Sequence, residues 1–381
     1  MFPWLKHIQL RRIITSNRLI PEVDGFRFLA IFIVIAAHIY VQCNPPDTTG
    51  PFAHIFHQAF NNGKLGVYLF FAISGFILGM PFARHHLQSD KAVNIRSYFR
   101  RRLTRLEPPY IVAMLLRFPM VMLVKRTAIA ATLLHLLASL FYVHNLVYNQ
   151  YSTINPPAWS LEVEVQFYIL APILASVFLI RSAALRRIVL AAAILVGAIL
   201  SSFIPEQSRI ALTLLNYSQY FLAGFLLCDI HLLKDQPKLP RLAWDLVGFA
   251  VLAWIFFGPA QFYYILFPFF TVALYLAGLN STILRAFFAN PFVSITGGMC
   301  YSIYLTHPTV LTIVSALTAK FHLNRLSPAS ETLVVFILGF AATFLVGAIF
   351  YVLLERPCMD PKWPQKLAQR FRPSKAVPVS S

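Results

Sequence analysis

The chain has 381 residues, 58% of them hydrophobic and only 12% charged, with a mean hydropathy of +0.66. One soluble core cannot hide that much apolar surface, so lipid is expected to be the solvent and a soluble globular enzyme is excluded. The net charge of +18 would suit nucleic acid, but the Lys and Arg residues sit in short runs between apolar stretches of spanning length, as in the cytoplasmic loops of a membrane protein.

A basic leader over residues 1–25, carrying Lys6, Arg11, Arg12 and Arg18, precedes a first apolar stretch that lacks a small-residue cleavage site, so this stretch reads as a retained span. Spans are expected at about 26–43, 65–81, 107–124, 160–180, 188–204, 211–228, 243–258, 260–279, 293–317 and 331–354. The short alternating segments of a barrel are missing, and the expected fold is an all-α polytopic bundle of about ten transmembrane helices. The stretch 127–145 is also apolar, yet as a span it would invert every later loop. It reads as a membrane-surface or re-entrant segment on the outside.

With the N-terminus inside, the cytoplasmic segments hold 24 of the 32 Lys and Arg residues, and the extracytoplasmic segments hold six. Both termini are therefore expected in the cytoplasm. No linker separates a second domain, so residues 26–355 read as one membrane domain and 356–381 as a basic tail. Cys43, Cys228, Cys300 and Cys358 are scattered without ligand spacing, and the pairs His54/His57 and His85/His86 have no carboxylate or thiol to complete a set. No disulfide and no metal is assigned.

A charge inside the bilayer costs a few kcal/mol, so each one asks for a reason. The first span holds Arg27 and His38, eleven residues apart, which on a helix places both on one face about 16 Å from each other. A buried structural histidine is the plain reading of His38. A near-neutral imidazole also suits general-base catalysis. In the run Arg96–Arg105, Arg102 and Arg105 lie one helical turn apart, and two guanidinium forks on one face suit a phosphate-rich ligand such as coenzyme A. Topogenic charge is the alternative. At the start of the fourth span, first-turn position alone accounts for Glu162. Glu164 lies deeper, four residues from Tyr168, where it could orient an imidazole or a sugar hydroxyl. Tyr304 and His307 in the ninth span, and Glu355 at the end of the last, are weaker candidates.

Six segments together resemble the acyltransferase-3 family of multi-spanning O-acyltransferases: EVDGFRFLAIFIVIAAH (22–38), GVYLFFAISGFILG (66–79), FRRRLTRLEPPY (99–110), WSLEVEVQFYILAP (159–172), YSIYLTHP (301–308) and LERP (354–357). The resemblance covers nearly the whole chain. It implies a ten-helix fold in a bacterial inner membrane. The donor it implies is acyl-CoA from the cytoplasm, commonly acetyl-CoA, as a co-substrate rather than a tightly bound cofactor. The implied acceptor is the hydroxyl of an extracytoplasmic carbohydrate. Arg27 and His38 are implied as the essential pair, with Glu164 beside them, and Arg102 and Arg105 as the donor site. Asp24, Ser74, Trp159, Tyr168, His307 and Glu355, within or beside these motifs, are expected to support substrate or structure. The chain resembles the standalone form, without the hydrolase-like domain that some relatives append. Two departures stand out: E-V-E-V follows WSL, which leaves the role of Glu162 open, and the aromatic-His pairing of the ninth span reads Leu305-Thr306-His307.

The expected mechanism binds acyl-CoA phosphates at Arg102 and Arg105 and runs the pantetheine arm along the bundle toward His38. There His38 deprotonates the acceptor, or itself carries the acyl group. The rival readings are a transporter or flippase and a non-catalytic scaffold in polysaccharide assembly.

Overall fold

The computed structural model describes residues 10–13, 20–43, 57, 60, 63–125, 128–258, 262–321, 328–360 and 362–365. Most of the leader, most of the expected outer loop 44–64, residues 322–327 and residues 366–381 of the basic tail lie outside the described residues. Among those described, every regular element is helical: α1 Pro21–Cys43, α2 Lys64–Gln88, α3 Ile95–Lys125, α4 Ile129–Leu140, α5 His144–Tyr148, α6 Trp159–Leu174, α7 Ala183–Ser202, α8 Leu214–Leu233, α9 Arg241–Phe257, α10 Tyr263–Asn280, α11 Ile283–Ala289, α12 Pro291–Gly298, α13 Cys300–Lys320 and α14 Pro328–Phe350. A π-helical turn, Tyr351–Glu355, prolongs α14. The chain is an all-α polytopic membrane bundle.

Eight helices among the described residues are long and apolar enough to cross a membrane, and a bent pair brings the number to nine, against ten expected. The shortfall is α9. Its 17 residues rise only about 26 Å, just under the hydrocarbon thickness. Two further spans take other shapes. The segment expected at 260–279 continues through an 88° bend into the short helix Ile283–Ala289. Asp245 on α9 accepts the first amides of that helix, from Thr282, Ile283 and Leu284, at 3.0–3.1 Å, so its orphan donors are satisfied away from water. The segment expected at 293–317 breaks at Met299 into α12 and α13. Helix α4, 12 residues long, is too short to cross, in keeping with a surface or re-entrant segment.

Helix α3 starts well before Pro108 and runs through Pro108 and Pro109, although the sequence places a span start there. Pro108 has no N–H for the Thr104 carbonyl, and the indole of Trp363 donates to that carbonyl instead at 2.9 Å. The Tyr301 hydroxyl donates to the next-but-one carbonyl, that of Leu106, at 2.9 Å. A neighbouring side chain thus repairs the ladder at Pro108, as membrane helices allow, and the arginine run shares one helix with the span.

Helices α2 and α8 form the middle of the bundle and meet backbone to backbone. A Cβ on Gly75 would lie 2.1 Å from the Phe221 carbonyl oxygen, and one on Gly224 would lie 2.2 Å from that of Ala72, so glycine at both positions sets the crossing. At one end of α8, Asp229 accepts from Arg186 at 2.7 and 3.2 Å and from Arg187 at 3.2 Å. This buried ion pair ties α7 to α8. Helix α1 packs against α2 and α11–α14, and that position carries Arg27 and His38 into the bundle.

Candidate active site

Arg27 donates to Asp24 at 2.5 Å, and Arg12 reaches the same carboxylate oxygen at 3.3 Å. Asp24 is buried, so it fixes Arg27 where α1 meets a cavity of about 710 Å³. Six arginines line this space: Arg27, Arg84, Arg100, Arg101, Arg102 and Arg105. Two carboxylates, Glu164 and Glu355, oppose them. Arg100 and Arg101 are exposed at the mouth. Deeper in, Arg102 lies 3.6 Å over the Tyr98 ring and 5.6 Å from that of Tyr168, and it donates to the Tyr98 carbonyl at 2.9 Å. Its plane is held by rings and a carbonyl, while one edge faces the cavity.

Arg105 meets Glu355 at 3.4 Å. Glu355 is 0% exposed and also accepts the backbone N–H and the hydroxyl of Ser302, at 3.1 and 2.6 Å. Ser302 lies in the first turn of α13, so Glu355 is the carboxylate that caps the broken helix. The inner end of the cavity holds Ser74, Ser160, Glu164, Tyr168 and Tyr304. Glu164 accepts from the hydroxyls of Ser74 and Tyr168. The Tyr304 hydroxyl donates to the Pro157 carbonyl at 2.8 Å and meets the Ser160 hydroxyl at 2.7 Å.

Neither His38 nor His307 is among the residues lining the cavity, so the cavity ends short of the histidine toward which the pantetheine arm is expected to run. The Tyr304 side chain stands at the cavity's edge. Its ring centroid is 5.5 Å from that of His307, and the His307 ring is 4.9 Å from that of His38. His38 is exposed, and its Nδ1 lies 2.7 Å from the Val34 carbonyl. A carbonyl only accepts, so in the neutral ring Nδ1 carries the proton and Nε2 keeps its lone pair. His307 repeats the arrangement, with Nδ1 2.7 Å from the Tyr304 carbonyl.

Most of the sequence-predicted residues therefore gather in one region. Arg27, Ser74, Arg102, Arg105, Glu164, Tyr168 and Glu355 line the cavity, with Asp24 behind Arg27 and His307 behind Tyr304. Trp159 is not among the lining residues and is buried among Phe71, Tyr151 and Tyr217. Glu162 is also outside: it accepts the Asn145 amide at 2.9 Å and fastens α5 to α6. Sequence reasoning passed over Ser160, Arg84, Arg100 and Arg101. The last two stand in the same basic run, so their charge was visible but their facing was not.

A family model described as an acyltransferase domain matches residues 20–352. The chain belongs to the acyltransferase-3 family. The matched region takes in nearly all of the multi-pass helical bundle. The chain is similar to O-acetyltransferase OatA of Staphylococcus aureus (strain NCTC 8325 / PS 47), being 28% identical over an alignment of 383 positions that covers 90% of this chain and 57% of the relative. The OatA proteins of strains COL and MRSA252 match to the same extent. The chain thus spans little more than half the length of the curated relatives it matches. No solved structure matches it. Among the described residues, no three His, Cys, Asp or Glu side chains are grouped to hold a metal ion.

Proposed function

We propose that this acyltransferase moves an acyl group, acetyl in the simplest case, from cytoplasmic acyl-CoA to a hydroxyl of an extracytoplasmic glycan or glycosylated molecule in a bacterial inner membrane. The observation that carries the reading is the separation of two unlike sites along α1: a six-arginine cavity around Arg27 and an exposed imidazole eleven residues further on. Planar guanidinium groups match a diphosphate and a 3′-phosphate in shape and charge. The excess of Lys and Arg in the segments on the Arg102 side supports a cytoplasmic cavity mouth. Acyl-CoA binds there as a co-substrate, with Arg102 and Arg105 as its phosphate partners. The acceptor approaches from the other side, and His38 Nε2 takes its proton. The O-acetyltransferase names of the relatives support acetyl as the group transferred.

The test pairs two measurements on the full chain in membrane vesicles. Acetyl-CoA consumption is followed directly, and surface glycans and secreted glycosides are compared by mass spectrometry with and without the gene. One acetyl unit added to a named sugar, lost in His38→Ala while the protein stays in the membrane, is the expected result. Unchanged acetylation in His38→Ala overturns the reading, as does movement of intact substrate with no acylated product.

A further inference from the structure

His307 has no assigned part in the scheme above, yet its position is the least ordinary in the bundle. It is 0% exposed, its Nδ1 is committed to the Tyr304 carbonyl, and its Nε2 is buried with no hydrogen-bond partner. A buried nitrogen left unpaired costs about 1–3 kcal/mol. A histidine kept only for packing would carry that cost without use. The ring stands between the two halves of the site, 5.5 Å from the Tyr304 ring that edges the cavity and 4.9 Å from His38.

We infer that His307 is the nucleophile that receives the acyl group, and that His38 is the base for the second half of the reaction. The inference rests on the acyl-CoA reading above. In the first half, the thioester end of the donor passes the Tyr304 ring at the cavity's edge, and the Nε2 lone pair of His307 attacks its carbonyl. A C–N bond forms as the C–S bond breaks, and the sulfur leaves as coenzyme A thiolate, which takes a proton from cavity water. The acyl-imidazolium keeps its Nδ1 proton against the Tyr304 carbonyl. In the second half, the acceptor oxygen attacks this carbonyl carbon while His38 Nε2 removes the hydroxyl proton. The C–O bond forms, the C–N bond breaks, and His307 returns to its neutral tautomer. His38, exposed, releases its proton to water.

Burial argues for this division of roles over the reverse. An acyl-imidazole in contact with water is lost to hydrolysis, and excluding water preserves such an intermediate. His307 is fully buried, whereas the His38 side chain reaches the surface of the bundle. Conversely, a base that must shed a proton each turnover is better placed at the exposed site.

The experiment uses the purified full chain with labelled acetyl-CoA and no acceptor, followed by rapid quenching, thiol quantitation and peptide mapping. One equivalent of thiol per chain and one acetyl unit on the peptide bearing His307 are expected. The label should persist in His38→Gln and vanish in His307→Gln. Acetyl on His38, a thiol burst of equal size in His307→Gln, or transfer to acceptor with no burst before its addition would each overturn the histidine step alone. Absence of acetyl-CoA turnover in the unmutated chain, with or without acceptor, would overturn the acyl-CoA reading along with it. Mapping on the unmutated chain decides the matter even if His307→Gln fails to fold.

Discussion

Replacing Glu355 tests how the π-turn, α13 and the arginine cavity are joined. The carboxylate accepts two bonds from Ser302, at 2.6 and 3.1 Å, and faces Arg105 at 3.4 Å. A bond to a charged acceptor is worth about 1.5–3 kcal/mol and a neutral one about 1, so Glu355→Gln should weaken the two Ser302 contacts by about 2 kcal/mol together. The Arg105 side chain is 35% exposed, and its pairing adds at most about 1 kcal/mol. Glu355→Ala also leaves the Ser302 amide without its acceptor, a further cost of about 1–3 kcal/mol. Thermal unfolding of the detergent-solubilised protein should rank wild type above Glu355→Gln and Glu355→Ala lowest. The same change releases Arg105 from its counter-charge. If Arg105 serves donor phosphate, the KM for acetyl-CoA should fall about threefold in Glu355→Gln, following the loss of that surface-grade pair. An alanine variant as stable as wild type would refute the capping role, and a raised KM in the glutamine variant would refute the neutralisation of Arg105.

Asp229→Ala leaves Arg186, 1% exposed, buried without its anion, and should cost about 3–5 kcal/mol, read as loss of folded protein from membranes. Gly224→Val places side-chain atoms against the Ala72 carbonyl and should prevent α2 and α8 from closing, seen as failure to fold in detergent while Gly298→Ala, in open space, is tolerated. Outside the spans, burial holds the His144 imidazole down at about 4, against the opposing pull of the Gln150 carbonyl and with some help from His135. Because the folded value lies below the unfolded value of about 6.5, stability is complete above that pH and is lost as the pH falls toward 4, by up to about 3 kcal/mol. Protection of the amides over residues 129–148, taken relative to the intrinsic exchange rate at each pH, should therefore fall between about pH 7 and about pH 5, and protection that is unchanged over that range would sink the argument.

The parts of this molecule that were legible in its sequence are those governed by local periodicity. Arg27 and His38 could be set on one helix face because the helical repeat fixes it, and the same holds for Arg102 with Arg105 and Glu164 with Tyr168. Span positions followed from apolar length. Contacts between distant segments carry no such signal. Ser74 meets Glu164 across 90 residues, and Arg105 meets Glu355 across 250. The pairing of His38 with His307, and the Tyr304 layer that closes the cavity short of His38, arise only when α1, α6 and α13 assemble. Pro108 misled for a related reason. Its rule assumes an unrepaired carbonyl, and Trp363 supplies the missing donor from the far end of the chain.

The Tyr304 hydroxyl is held between the Pro157 carbonyl and Ser160, and a ring fixed there has a consequence apart from chemistry. If the arginine-lined cavity and the exposed imidazole open on opposite sides of the membrane, together they would amount to most of a pore. A membrane potential stores about 2.3 kcal/mol per elementary charge for every 100 mV, and any continuous water column would discharge it as a proton leak. On the proposed reading, the two rings of Tyr304 and His307 would be the insulation of the device, and enlarging the passage for a bulkier donor would be limited by conductance before it was limited by catalysis.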